Sequence, residues 1–149
     1  MSSESFYDDY WDAFSSLFGA YSSGLPKASQ HNYYIRFPRS GFGFQRSALA
    51  VRSKGYIGVE FICETGTAGQ ARARLDALRE ATPTETLATY PGEIEWYGPA
   101  RMKIAKAWET IPARLEERAD WPAQHLWLYG RLMLLETILG PVARSLETK

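Results

Sequence analysis

GFGFQRSALAVRSKGYIGVEFIC, residues Gly41 to Cys63, is the stretch on which the fold turns. Both halves are rich in aromatic, aliphatic and β-branched residues, and Ser53-Lys54-Gly55 lies between them. Gly55 can supply the positive φ of a short hairpin, so the two halves read as antiparallel strands. Upstream, HNYYIRF (His31–Phe37) has the same character, and Pro38-Arg39-Ser40-Gly41 reads as the turn that joins it. The result is a three-stranded meander. Alternation assigns the faces. Tyr33, Ile35 and Phe37 share one side, as do Leu49 and Val51, and Ile57, Val59, Phe61 and Cys63. The opposite side then carries Arg36, Arg46, Arg52 and Glu60, as expected of a sheet with one wet face.

The flanks read as helices and two further strands. Phe6, Tyr10, Phe14, Leu17 and Tyr21 recur at three- and four-residue steps, predicting a helix from about Ser5 to Tyr21 that Gly24 and Pro26 stop. A second helix is predicted over Thr67–Ala81, with Ala71, Leu75 and Leu78 inward and Thr65 or Thr67 as cap. Pro83 interrupts it, and Thr84 caps a short turn before Pro91-Gly92. EIEWY (Glu93–Tyr97), with Ile94 and Trp96 inward, and RMKIAKAW (Arg101–Trp108), with Met102, Ile104 and Trp108 inward, read as strands. The last helix starts at Asp120 as N-cap, with Pro122 in its first turn. Leu128, Leu132, Leu135 and Leu139 line one face, and Gly140-Pro141 is expected to kink or end it. The expected fold is α+β in the order α-β-β-β-α-β-β-α: about five mostly antiparallel strands with helices on one face.

The chain has 149 residues and 45% hydrophobic content, which fits one domain over 1–149 and excludes a disordered tail. Its single cysteine, Cys63, precludes an internal disulfide framework and reads as a buried small hydrophobe. The start, MSSESFYDDYWDAF, lacks a basic n-region and an apolar h-region, and no stretch suggests a membrane span. A cytoplasmic location with no membrane partner is therefore expected.

No motif for catalysis stands out. The Asp/Glu-x-Lys pattern of a restriction-like nuclease occurs only at Glu147-Thr148-Lys149, at a terminus unsuited to hold Mg²⁺. His31, His125 and Cys63 lack the spacing of a zinc site. His125 reads as a half-exposed or packing residue and His31 as a turn residue. There is no Gly-x-Ser-x-Gly elbow, and Ser40-Gly41-Phe42-Gly43 fits a hairpin turn better than a phosphate loop. Glu93 and Glu95 read as solvated, or as partners of Arg101 and Lys103. No metal, no cofactor and no enzymatic activity are expected.

The 17 basic and 17 acidic residues cancel, but not uniformly. Residues 13–59 hold no acid and carry +6, from Lys27, Arg36, Arg39, Arg46, Arg52 and Lys54. Residues 1–12 carry −4 and residues 60–149 carry −2. Arg36, Arg46 and Arg52 on one sheet face, with Arg39 and Lys54 at the turns, form a candidate surface for phosphates or an acidic partner. Tyr34 and Phe42 are candidate stacking residues beside it. The bland alternative is a solvated face whose arginines pair with acids.

SGFGFQRSALAVRSKGYIGVEFIC, then IEWYG, then DWPAQHLWL with a following Gly-Pro, resembles domain-of-unknown-function family 4268. That domain is commonly found C-terminal to restriction-endonuclease-like nuclease domains. The resemblance runs from Trp11 to Pro141, and Pro83 departs from the family's longer helix. It implies a non-catalytic module of a bacterial or phage DNA restriction or defence system, with DNA or a nuclease in trans as partner. The binding residues would be Arg36, Arg39, Arg46, Arg52, Lys54 and Tyr34. The alternative is a protein–protein interaction or homodimerisation domain with no nucleic-acid role, using Trp127 and Tyr129 on the last helix or an edge strand.

Overall fold

The computed structural model describes residues 3–18 and 32–148. Phe6, Tyr10 and Phe14 wind one apolar stripe into helix α1 (Ser3–Phe18). The expected continuation to Tyr21, the Gly24 and Pro26 stop, and Lys27 and His31 lie outside the described residues. Strands β1 (Tyr34–Gly41), β2 (Phe44–Val51) and β3 (Tyr56–Glu64) form the meander. Helix α2 (Gln70–Ala81) and a single turn α3 (Thr84–Leu87) lead to β4 (Glu95–Tyr97) and β5 (Ile104–Pro112). A 3₁₀ turn (Arg118–Asp120) enters the long helix α4 (Trp121–Glu147). The five strands order as β1-β2-β3-β5-β4, antiparallel throughout, so the α+β order read from the sequence stands.

Several local readings change. β1 runs through Pro38 to Gly41, and the turn is moved to Phe42-Gly43. Pro38 lies in an edge strand whose register shifts between Arg36 and Gly41, where a missing N–H is tolerated. Gly41 (φ 137°), Phe42 (φ 56°) and Gly43 (φ 83°) supply the positive φ values. Gly69, not a threonine, precedes α2. α4 continues through Pro141 to Glu147, because the ring lies on its exposed side. By length and composition Arg118–Glu147 is long and apolar enough to cross a membrane. Here its Leu128, Leu132, Leu135 and Leu139 stripe is buried against the sheet.

One contiguous core lies between the sheet and α1, α2 and α4. The inward rows are Ile35 and Phe37; Phe44, Ala48 and Ala50; Ile57, Val59, Phe61 and Cys63; and Ala105 and Ala107. Cys63 is buried, as its sequence context predicts, and burial pushes its thiol pKa up. At the α1–α4 seam, Tyr10, Phe14 and Trp121 surround His125, which is 1% exposed. Its Nε2 has no hydrogen-bond partner among the described residues.

Burial holds the His125 imidazole neutral and depresses its pKa from 6.5 to about 4. Between those values the unfolded chain binds a proton that the folded chain refuses. Stability is therefore complete above about pH 6.5 and falls as pH drops toward about 4. Urea unfolding is expected to show a loss of about 2 kcal/mol between neutral pH and pH ~5. His125→Phe should flatten that dependence, and an equal slope in wild type and variant would contradict the assignment.

Candidate protein-interaction face

Among the described residues the helices lie on one side of the sheet; no described helix packs on the other, though Ser47, Leu49, Glu60 and Ile62 on that side are themselves buried. Pairing registers settle which side chains reach it, because paired residues in an antiparallel ladder share a face. β1 contributes Tyr34 and Arg36, paired with Leu49 and Ser47 of β2. β3 contributes Tyr56, Glu60 and Ile62, and β5 contributes Ile104, Lys106 and Trp108. Tyr97 of β4 stands beside Lys106. With Tyr33 and Met102 at the rim, these residues other than Ser47 line a cleft of about 270 Å³. Tyr33 and Tyr97 are its most exposed rings, at 50% and 41%.

The charges on this face are neutralised internally. Lys106 Nζ donates to Glu60 Oε2 at 2.6 Å and sits 3.7 Å from the Trp108 ring centroid. Glu60 is only 5% exposed; the Lys106 ammonium offsets the cost of its desolvation, and the Trp108 ring in turn stabilises that ammonium. Arg36 pairs with Glu64 and lies 5.1 Å over the Tyr34 ring. Burial, Glu60 and Tyr33 all push the Tyr56 phenol pKa up, keeping its hydroxyl a donor. One cross-strand row runs Arg36, Ser47, Glu60, Trp108. On it, Arg36 Nε, Ser47 Oγ and Trp108 Nε1 are buried without hydrogen-bond partners among the described residues. Buried donors of this kind are rare in native folds and call for an acceptor.

The basic residues singled out from the sequence do not form one surface. Tyr34 and Arg36 do reach the open face. Arg46 points the other way: its Nη1 donates to the Leu132 carbonyl at 3.0 Å under α4, and it lies 5.1 Å over the Phe37 ring. Burial lowers its pKa, while Glu136 and Tyr129 raise it. Arg52 also turns to the helix side, hydrogen-bonding Glu116 and standing 4.4 Å over the Phe6 ring. The Glu116 bond raises its pKa. Arg39, opposite Gln45, and Lys54, in the β2–β3 turn, are exposed without ion pairs among the described residues. They stand at opposite ends of β2.

The correction has a physical reason. Leu49 and Val51 are the more apolar alternate pair in β2, so they read as the core row. A helix approaching a sheet needs small residues beneath it, and Ala48 and Ala50 supply them at 0% exposure. The same holds in β5, where Ala105 and Ala107 lie inward and Ile104 and Trp108 turn out. Small residues alternating with large ones are the sequence signal for Trp108, Ile104 and the Glu60–Lys106 pair. Tyr129 and Trp127 are also less available than expected. Tyr129 stacks on Phe18 at 4.3 Å, and Trp127 is half-buried beside Arg131. Glu93, Glu95, Arg101 and Lys103 are all exposed, and no ion pair joins them among the described residues.

Fold and face together define a class: an α+β domain with a helix-backed antiparallel sheet whose other, aromatic-lined face no described helix covers. No family model matches the chain, and no curated protein does. It is distantly similar to a solved structure described as "Structure of the HopA1-SchA Chaperone-Effector Complex". Identity is 13%, the match covers 86% of this chain and 94% of that one, and the TM-score is 0.38. A likeness this remote adds nothing to the reading of the face.

Proposed function

We propose that this domain is a non-catalytic protein-binding module whose open sheet face receives an apolar, aromatic-containing segment of a partner polypeptide. The observation that carries this reading is the composition of the face. Its rings and aliphatic side chains line a cleft, and Arg36 and Lys106 are already paired with Glu64 and Glu60. Tyrosine and tryptophan offer large contact area with a polar handle, which suits polypeptide recognition. Phosphate recognition asks instead for unpaired cations converging on one surface. Arg46 and Arg52 are engaged on the helix side, which favours the polypeptide reading over a phosphate-binding one. A nuclease acting in trans is the partner class the sequence resemblance suggests.

The test is selection from a displayed library of random peptides, run on the wild type and on a Tyr33→Glu, Tyr97→Glu double variant. Both sites are exposed, so the variant should fold normally. Peptides enriched in aromatic and aliphatic residues should emerge on the wild type and bind the variant on the order of 30-fold more weakly. Equal enrichment on both proteins would overturn the proposal. So would tight binding of duplex DNA with a log–log salt slope of about −5, the value for six phosphate contacts.

A further inference from the structure

The outer side of α4 poses a separate problem. Pro122, Ala123, Leu126, Gly130, Met133, Thr137 and Pro141 recur every three or four residues and are all exposed. Leu126 is 64% and Met133 45% exposed. This stripe runs about 29 Å along the helix with no ionisable side chain on it. The opposite stripe is the core, so α4 carries two apolar faces, with Arg131 and Glu136 on the flanks between them. On the described structure only one side is covered.

We infer that the occupant of this stripe is α4 of a second copy of the chain, crossing antiparallel about a two-fold axis at Gly130. Three observations select that occupant. First, the stripe is nearly symmetric about Gly130. Leu126 lies four residues before it and Met133 three after, while Ala123 and Thr137 lie seven before and seven after. A two-fold therefore sets Leu126 against the second copy's Met133, and Ala123 against its Thr137, an isologous contact. Second, a Cβ added at Gly130 meets nothing within 4 Å, so the axis falls where two backbones can come closest. Third, the electrostatics favour like on like. The stripe brings no charge against its own image, an antiparallel crossing aligns the helix dipoles favourably, and the chain's formal net charge is zero. Lipid fits less well, because the other side of α4 is tied to the sheet by Arg131–Glu109 at 3.0 Å and by Arg46 on the Leu132 carbonyl. This interface lies across the core from the open sheet face and does not depend on the role proposed for that face.

Sedimentation velocity on the purified full chain, from micromolar to near-millimolar concentration, tests the inference. The wild type should sediment as a reversible dimer. Gly130→Lys should raise the dimer dissociation constant on the order of 100-fold, since each lysine meets its symmetry mate. Lysine is a far better helix former than glycine, so the same variant should raise the monomer's folding constant about five-fold in urea. Lost dimerisation with raised fold stability cannot come from misfolding. A wild type that stays monomeric throughout, or a Gly130→Lys dimer of unchanged affinity, would overturn the inference. So would a monomer that floats with phosphatidylcholine vesicles.

Discussion

Replacing Lys106 with methionine is expected to cost about 3–5 kcal/mol of stability at neutral pH, far more than an ordinary surface lysine. The Glu60 side chain is 6% exposed, and the Lys106 ammonium at 2.6 Å is its one ion-pair partner among the described residues. Arg36, the other cation on this face, is engaged with Glu64. Methionine fills the stem's volume but leaves the carboxylate buried without a countercharge. The cost then comes from stranding Glu60, not from losing a lysine contact. Changing both residues, Glu60→Leu with Lys106→Met, should bring stability back to within about 1–2 kcal/mol of the wild type, because an apolar pair strands no charge. Urea unfolding of the two single variants and the double variant closes the cycle. A Lys106→Met loss below about 1 kcal/mol would show that the pair behaves as a solvated surface bridge.

Arg46→Glu is expected to cost about 3 kcal/mol or more. The substitution removes a charge-assisted hydrogen bond to the Leu132 carbonyl, an effect of roughly 1.5–3 kcal/mol. It also removes a cation over the Phe37 ring, roughly 0.5–1 kcal/mol. The new carboxylate then faces that carbonyl and stands in the field of Glu136. Were Arg46 on an open phosphate-binding surface, the same change would leave stability almost untouched and abolish ligand binding. The structure thus converts a binding variant into a folding variant. Thermal and urea unfolding decide between them, and wild-type stability in Arg46→Glu would contradict the inward placement. Arg46→Met, which keeps the apolar stem without the charge, should fall between.

These two residues also show where the sequence was readable. The order of elements followed from helical spacing at Phe6, Tyr10 and Phe14, from turn residues at Gly55, and from the Leu128–Leu139 stripe. Each is a local pattern with a local cause. The strand phase of β3 followed in the same way, since Ile57, Val59, Phe61 and Cys63 outweigh their alternates, and so did Ile35 and Phe37 in β1; Tyr33, read onto the same side, instead lies just before β1 and is 50% exposed. In β2 and β5 the weighing failed. Alanine is less hydrophobic than leucine, valine or tryptophan, yet Ala48, Ala50, Ala105 and Ala107 hold the core positions because helices press close there. That closeness is a tertiary property, absent from any one strand. The candidate site suffered directly, because shifting a strand's phase by one residue exchanges its faces. Arg46 moved to the core side, and Trp108 and Ile104 moved to the open side. The Glu60–Lys106 pair spans two strands far apart in sequence, and only the β3–β5 register brings it together. The +6 block is real as sequence, but Arg36, Arg39, Arg46, Arg52 and Lys54 distribute over both sides of the sheet and its ends.

The most direct test of the central claim is to map a selected peptide on the ¹⁵N-labelled protein by chemical-shift perturbation. Saturable shifts are expected at Tyr34, Tyr56, Tyr97, Lys106 and the Trp108 indole, with the α4 backbone unmoved. Shifts confined to the α4 face, or a response at Arg39 and Lys54 to duplex DNA with none at the sheet, would contradict it.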